Sequence, residues 1–204
     1  MIKRVNLKED IKLHPELSED YVENKKFDGL KLKKYYNYTE ITNCYFKNCN
    51  FQDTTFQGVD VENTLFENSN LSNNNYSDRS FNIIEFKNCN LVGTNFTDAY
   101  LENITFENCN LLYANFSGAT LKNVLFENCI LESTTFNEIK WKELQFNKCK
   151  LKATEFFKTK LKDIDLSTCD ISELSLDINH IRGLIVNYDQ AAIISTNLGI
   201  KIRN

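Results

Sequence analysis

The chain contains little glycine, proline or histidine, with 6, 1 and 2 residues of these types among 204. Nucleotide-binding loops depend on clustered glycines, and no glycine-rich phosphate motif is present. The GxSxG pattern of serine hydrolases and the HExxH pattern of zinc proteases are also absent. The two histidines, His14 and His180, lie near opposite ends, and neither stands at metal-ligand spacing from a cysteine. We therefore expect a non-catalytic protein with no cofactor and no metal site.

The sequence has no run of 18 apolar residues and predicts no membrane span. Residues 1–8 lack the apolar segment of a secretory signal, so we expect a cytoplasmic protein. The cysteine count of seven is odd, which favours free thiols in a reducing compartment over a disulfide framework. The net charge of −4 gives no reason to expect direct nucleic-acid binding, which needs a basic face.

An apolar residue occurs at every fifth position from Ile41 to Val186, without exception. A helix repeats every 3.6 residues and a strand every two, so a period of five fits neither. The chain must therefore close a turn every five residues. The positions two before these hold small or apolar residues, except at Asn74, Arg79 and Asn179, and they include all the cysteines.

A second period of 20 residues lies on top of the first, and aromatic columns alternate with aliphatic ones. Four sides of five residues predict a square solenoid in which like residues stack on like. Asparagines 48, 68, 88, 108 and 128 are predicted to stack in the same way. The two aromatic columns are Phe46, Phe66, Phe86, Phe106, Phe126 and Phe146, and Phe56, Tyr76, Phe96, Phe116, Phe136 and Phe156.

Segments such as Ala114-Asn115-Phe116-Ser117-Gly118 and Thr94-Asn95-Phe96-Thr97-Asp98 resemble the repeat of pentapeptide-repeat proteins. The resemblance implies an all-β fold, a right-handed quadrilateral parallel β-helix of about seven coils with a short C-terminal helix. We divide the chain into an N-terminal cap and imperfect first coil (1–40), the repeat β-helix (41–186) and a C-terminal helix/strand module (187–204).

The repeat phase ends after Val186, and residues 187–199 predict a short helix that Asn187 or Asp189 caps and Gly199 ends. Ile200-Lys201-Ile202 then alternates like a strand. This ending resembles the C-terminus of the Qnr-type quinolone-resistance proteins, which implies a tail-to-tail homodimer. The alternative is an ordinary solenoid cap. The expected dimer interface comprises Tyr188, Ala191, Ile194, Leu198, Ile200 and Ile202.

Function is expected on the outer surface, because residues 41–138 hold 12 acidic and 4 basic side chains. If coils stack at strand spacing of ~4.8 Å, this stretch rises about 24 Å, or roughly one net charge per 3 Å. Duplex DNA carries about one charge per 1.7 Å of axis, so the rod is a diluted electrostatic analogue. The alternative is an ordinary solvated surface. The candidate acidic ridge comprises Glu62 and Glu102 on one side, and Glu67, Glu107 and Glu127 on the next.

Three further features are candidates for contact or irregularity. Val92, Leu112 and Tyr113 predict a small exposed apolar patch. Residues 140–162 form a lysine-rich band, which indicates either a phosphate or acidic-partner contact or a solvated face. Residues 72–80 contain Asn74 and Arg79 in small-residue slots, which leaves open whether a bulge or loop forms there.

The Qnr-type resemblance implies a DNA-mimicking protein that binds type II topoisomerase, DNA gyrase or topoisomerase IV, and modulates or protects it against quinolones or a toxin. Qnr proteins carry loops that break the repeat, whereas the five-residue phase here is unbroken. The alternative hypothesis is a general protein-interaction scaffold without topoisomerase binding.

Overall fold

The computed structural model describes residues 2–7, 11–13, 21–31, 35–36, 40–56 and 59–203. The chain forms a right-handed parallel β-solenoid of about seven coils with one short C-terminal helix, which confirms the predicted fold. The elements are β1 (Lys12–Leu13), β2 (Tyr21–Glu23), β3 (Lys25–Asp28), β4 (Tyr35–Tyr36), β5 (Glu40–Thr42), β6 (Tyr45–Lys47), β7 (Thr55–Phe56), β8 (Asp60–Glu67), β9 (Ser80–Lys87), β10 (Tyr100–Glu107), β11 (Thr120–Glu127), β12 (Lys140–Asn147), β13 (Glu155–Phe156), β14 (Ser175–Leu176) and α1 (Tyr188–Asn197).

Successive coils pair in parallel and in the 20-residue register that the sequence columns predict. Leu101, for example, pairs with Phe81 in the preceding coil and with Leu121 in the next. The long strands β8 to β12 build two adjacent sides of each coil. The other two sides are joined mostly by single bridges, such as the bridges of Asn90 with Asn70 and Asn110. Residues that lie 20 apart in the sequence therefore occupy equivalent positions in successive coils.

The corners of the coils explain why asparagine recurs in the sequence. Within one coil the corner residues Asn63, Asn68, Asn73 and Asp78 all have positive φ angles between 43° and 59°. Asparagine and aspartate tolerate this left-handed conformation better than other non-glycine residues. Asn68 and Asn88 stack as predicted, since the Asn88 side-chain amide donates to Asn68 Oδ1 at 3.2 Å.

Two aromatic stacks fill the core and run along the rod. Within each stack the rings lie nearly parallel, and rings of the two stacks meet edge to face; both arrangements are favourable. Phe106, for example, stacks on Phe126 at a centroid distance of 4.8 Å and meets Phe116 edge-on at 6.3 Å. The side chains of the stacks leave no room for a ligand channel within these coils. The members with described side chains are Phe27, Phe46, Phe66, Phe86, Phe106, Phe126 and Phe146, and Tyr76, Phe96, Phe116, Phe136 and Phe156.

All the cysteines are buried free thiols, as the sequence predicts. The Cys109 Sγ lies 3.3 Å from the carbonyl oxygen of Phe86, where the thiol can donate. Burial raises the pKa of the Cys44 thiol to about 11 and also raises the pKa of Cys109. Because the thiolate is the reactive form, Cys44 and Cys109 act as small packing residues.

Residues 72–80 form no bulge or loop, which decides the question that the sequence leaves open. Asn90 bridges Asn70 and Asn95 bridges Asn75, and both pairs keep the 20-residue register. The polar Asn74 is accommodated because both polar atoms of its side chain have partners: Nδ2 donates to the Tyr76 hydroxyl at 3.0 Å, and Oδ1 accepts from the Thr54 amide at 3.0 Å. A buried amide with partners costs far less than an unpaired one.

The N-terminal arm, residues 2–7, lies against the outside of the rod, far from its sequence neighbours. The Asn6 amide donates to Asn63 Oδ1 at 2.9 Å, and the Val5 amide donates to Glu85 Oε1 at 2.9 Å. The Lys3 amide reaches Asn103 Oδ1 at 3.4 Å. The arm therefore crosses three coils along the corner that β8, β9 and β10 share.

Replacement of Tyr113 by asparagine should stabilise the rod, because it relieves strain in the backbone at this position. This residue occupies a corner with φ of 62°, and its side chain is 63% exposed. Tyr113→Asn should therefore lose little packing and raise the free energy of unfolding by about 1 kcal/mol, measured by urea denaturation. Tyr113→Phe keeps the strain and should leave stability unchanged. Destabilisation by the asparagine variant would contradict the expectation.

Candidate protein interaction surfaces

Two neighbouring sides of the rod carry the candidate acidic residues. The first face consists of the outward side chains of residues 40–42, 60–62 and their equivalents every 20 residues up to 180–182. The second face consists of the outward side chains of 45–47, 65–67 and their equivalents. The two faces meet because each of the strands β8 to β12 bends at a corner residue with positive φ, such as Asn63 or Asn103.

The carboxylates on the first face have hydrogen-bonding neighbours. Asn82 Nδ2 donates to Glu62 Oε1 at 3.0 Å, and the Tyr100 hydroxyl donates to Glu102 Oε2 at 2.6 Å. Lys122 Nζ lies 2.8 Å from the same hydroxyl. Glu62 is also part of an open acidic cleft of about 410 Å³, lined by Glu40, Asp60, Val61, Glu62, Ser80 and Asn82.

Lysines interrupt the row of carboxylates on the second face. Glu67 accepts a hydrogen bond from the Tyr45 hydroxyl, which holds its pKa below the usual range, and lies 3.4 Å from Lys47 Nζ. Glu107 pairs in register with Lys87 on one side and with Glu127 on the other. Lysines alternate with carboxylates along this row, which runs from Lys47 to Asn147 on the second face. Its longest run of carboxylates without an intervening lysine consists of Glu107 and Glu127.

The predicted acidic ridge is not continuous across the shared corner, because the N-terminal arm lies there. Arg4 Nη1 lies 3.7 Å from Glu85 Oε2, and Lys87 Nζ lies 2.8 Å from the same oxygen. The arm also covers the corner at Asn103, and Glu85 and Asn103 are both buried. The acids therefore form two separate rows, with a neutralised strip between them. The arm has no repeat phase, so no periodic pattern could have revealed its position.

The apolar candidates lie together on the third side of the rod. Val92 and Leu112 occupy equivalent positions in adjacent coils and are half-buried, and Tyr113 stands exposed beside Leu112. The structure thus places all three on the same side of the rod, where only Tyr113 among them is exposed.

The C-terminal helix α1 closes the end of the solenoid. Asn187 is its N-cap, and Gln190 completes a capping box, so the structure selects Asn187 over Asp189. Gln190 is buried, and its Nε2 also donates to the carbonyl oxygens of Leu166 and Cys169 at 2.9 and 2.7 Å. Gln190 was not among the sequence candidates, although its place three residues after Asn187 is a capping-box signal.

The expected dimer residues divide into two groups. Ile194 is half-buried and packs against the core of its own solenoid. Exposed positions are Tyr188, Ala191, Leu198, Ile200 and Ile202, together with Ile193, which the sequence analysis did not include. Residues 200–203 form neither helix nor strand, so the strand expected at Ile200–Ile202 is absent.

Within the described residues, no group of three or more His, Cys, Asp and Glu side chains could hold a metal ion. His180 Nδ1 contacts Asp177 Oδ2 at 2.7 Å, while His14 lies outside the described residues. No helix in the described part of the chain is long and apolar enough to cross a membrane.

Solved structures of similar fold include pentapeptide-repeat proteins from different sources. Full-length QnrB1, a plasmid-mediated fluoroquinolone resistance protein, is 22% identical, with 88% of this chain and 90% of that chain covered and a TM-score of 0.49. HetL of the cyanobacterium Nostoc, involved in heterocyst differentiation regulation, is 12% identical over 77% and 85% of the chains, with a TM-score of 0.40. At these identities the likeness concerns the fold alone.

Among the curated proteins none matches the sequence. The family model of the pentapeptide repeat region matches twice, over residues 39–116 and 79–156. Together the two matches span more than half of the chain and coincide with the coils that carry the aromatic stacks. The chain therefore belongs to the pentapeptide-repeat family.

Proposed function

We propose that this rod is a non-catalytic DNA mimic that binds a type II topoisomerase, DNA gyrase or topoisomerase IV, and modulates or protects it in the cytoplasm. The observation that carries the proposal is the pair of carboxylate rows on the first and second faces. They are held on a β-scaffold whose rungs repeat at ~4.8 Å. A DNA-binding enzyme presents basic side chains spaced to meet phosphates, and such rows offer acceptors along one axis.

Preorganisation strengthens this proposal. Glu62, Glu102 and Glu127 each accept a hydrogen bond from a neighbouring side chain, from Asn82, Tyr100 and Asn147. Side chains that are already ordered lose less conformational freedom when a partner binds. The carboxylates therefore resemble the fixed phosphates of a duplex more closely than freely rotating surface acids would.

We further propose that two chains associate tail to tail through α1 and the residues after it. Tyr188, Leu198, Ile200 and Ile202 leave large apolar side chains exposed at the end of the rod, with exposed fractions of 89%, 40%, 56% and 53%. Large apolar side chains exposed at one end of a chain favour an association surface there. A two-fold dimer would double the length of the rod and present the acidic rows on both halves.

A second candidate function is a general protein-interaction scaffold. The patch of Val92, Leu112 and Tyr113 favours it, because an exposed aromatic ring beside aliphatic side chains has no counterpart in a DNA backbone. In this case the acidic rows would be an ordinary solvated surface.

Supercoiling by DNA gyrase tests the leading proposal. We expect the purified protein to inhibit the enzyme at micromolar concentration or to rescue it from ciprofloxacin. The triple variant Glu62→Lys, Glu102→Lys and Glu107→Lys should weaken the effect at least tenfold, since it reverses charge in both rows.

The control variant carries the same charge change on the other two sides, at Glu132→Lys, Glu155→Lys and Glu173→Lys. It should behave like the wild type. Equal losses in the two triple variants, or no effect of the folded wild-type protein on gyrase and topoisomerase IV, would contradict the proposal and leave the scaffold function.

A further inference from the structure

Charge changes sign along the first face. Its outward residues are acidic near the N-terminal end, at Glu40, Asp60, Glu62 and Glu102. From the coil of Lys122 onward the face carries only cations and neutral residues. Lys122 pairs in register with Glu102 and with Lys142, so the cations of the first two rungs lie side by side in an array. The array comprises Lys122, Lys140, Lys142, Lys160, Lys162 and Arg182.

A break in the solenoid deepens this basic array into a cleft. No backbone-to-backbone hydrogen bond joins β12 to residues 160–168, although all of these residues lie in the described part of the chain. Trp141 partly fills the gap, and its Nε1 donates to the carbonyl oxygen of Lys160 at 2.7 Å. The open cleft measures about 610 Å³ and is lined by Glu138, Ile139, Lys140, Trp141, Lys158, Lys160 and Lys162.

Most cations of the array have no acidic partner. Glu138 is paired with Lys158 at 2.9 Å. Within the described part of the chain, no carboxylate lies within 4 Å of the Nζ atoms of Lys140, Lys142, Lys160 or Lys162. Four uncompensated ammonium groups on two adjacent rungs repel one another, and an external polyanion would relieve that repulsion.

The spacing of the array fits nucleic acid. Six cations lie on four rungs, and three regular steps of ~4.8 Å would span about 14 Å. Since the ladder is broken between β12 and residues 160–168, the density is at most roughly one positive charge per 2.4 Å. A nucleic-acid strand carries about one phosphate per 3.4 Å and a duplex about one per 1.7 Å. When lysines bind DNA, the counterions condensed on its phosphates are released, and this release favours binding. Isolated carboxylates have no such condensed counterions to release.

We propose that this array and its cleft bind the phosphate backbone of duplex DNA, without contacts to the bases. Lysine suits such binding, because its ammonium is a point charge that reads no base edge. Trp141 is held half-buried by its hydrogen bond, so it is not a free stacking platform for the unpaired bases of a single strand. The expectation of no nucleic-acid binding rested on the net charge of the whole chain, and the array confines positive charge to one region.

A second copy of the chain is the weaker occupant. Its acidic end could meet the lysine array in an antiparallel pair, but such contacts would be exposed ion pairs, which are individually weak and screened by salt. The two interpretations predict different results when DNA binding by the isolated protein is measured directly.

Binding of a fluorescein-labelled 30-base-pair duplex, followed by anisotropy, tests the proposal in the absence of any topoisomerase. We expect affinity to fall about 100-fold between 50 and 200 mM salt, as contact with about four phosphates requires. Trp141 is the single tryptophan, so its emission should change on binding and report occupation of the cleft.

The double variant Lys140→Glu and Lys160→Glu should lose at least tenfold in affinity, whereas Lys148→Glu with Lys150→Glu, outside the first face, should lose less than threefold. Unchanged affinity of the first variant, unchanged Trp141 emission, tighter binding of a single strand than of the duplex, or equal competition by polyglutamate would each overturn the proposal. Failure here leaves the topoisomerase proposal intact, because that proposal depends on the acidic rows.

Discussion

Phe106→Ala is expected to lower the free energy of unfolding by about 3–5 kcal/mol. The side chain is fully buried, stacks on Phe86 and Phe126 at 5.0 and 4.8 Å, and meets Phe96 and Phe116 edge-on at 6.4 and 6.3 Å. The cavity cannot collapse easily, because β10 is fixed by ladders to β9 and β11. The loss should therefore lie toward the large end of core truncations.

Phe157→Ala provides the matched control. This neighbour of a stacked ring points outward and is 43% exposed, so its truncation should cost less than about 1 kcal/mol. Both values follow from the midpoint and slope of guanidinium denaturation monitored by circular dichroism. A loss below about 1.5 kcal/mol for Phe106→Ala would show that the rod repacks around the missing ring.

Gln190→Ala is expected to release α1 from the end of the solenoid and to destabilise its docking by about 2–4 kcal/mol. The side-chain Oε1 accepts from the Asn187 amide at 2.9 Å, and Nε2 donates to two carbonyl groups of the preceding coil. Removal leaves those buried backbone groups without their partner, which costs more than the hydrogen bonds themselves contribute. If two chains pair through α1 as we propose, the variant should also sediment as a monomer.

Limited proteolysis near residue 187 and the mass by sedimentation measure the two effects separately. Asp189→Ala alters an exposed neighbour in the same first turn and should leave both nearly unchanged. A Gln190→Ala protein that resists cleavage as the wild type does would refute the role of this side chain in docking. A docked wild-type helix on a monomeric protein would instead refute the tail-to-tail dimer alone.

The five-residue phase predicts the fold because each inward position is decided locally, by whether a side chain is apolar or small. The register follows for the same reason, since a slip between coils would place rings such as Phe106 against the small column. The sequence leaves residues 72–80 undecided, because a polar residue in a small slot, here Asn74, is tolerated when Tyr76 and Thr54 supply its hydrogen bonds. Such partners belong to tertiary structure and carry no period.

The surface is predicted less completely. The spacing places Glu62 and Glu102 on one face and Glu107 and Glu127 on the next, but not the arm between them. The lysine-rich band is visible in the sequence, whereas the cleft at Trp141 is not. The cleft forms because the backbone of residues 160–168, all of which the structure describes, makes no hydrogen bonds to the backbone of β12. The sequence gives no sign of this, because the apolar residues of the five-residue period continue through Leu161 and Leu166.

The contact of the N-terminal arm has a consequence for the order of synthesis. Most coil contacts join residues about 20 apart, so each coil can form as soon as the next has emerged from the ribosome. The arm contacts Asn63, Glu85 and Asn103, at separations of 57, 80 and 100 residues. At about 5–20 residues per second the arm must wait several seconds for its last partner. During that interval the corner of the growing rod at Glu85 is exposed. The arm can dock fully only when the N-terminal half of the rod is complete.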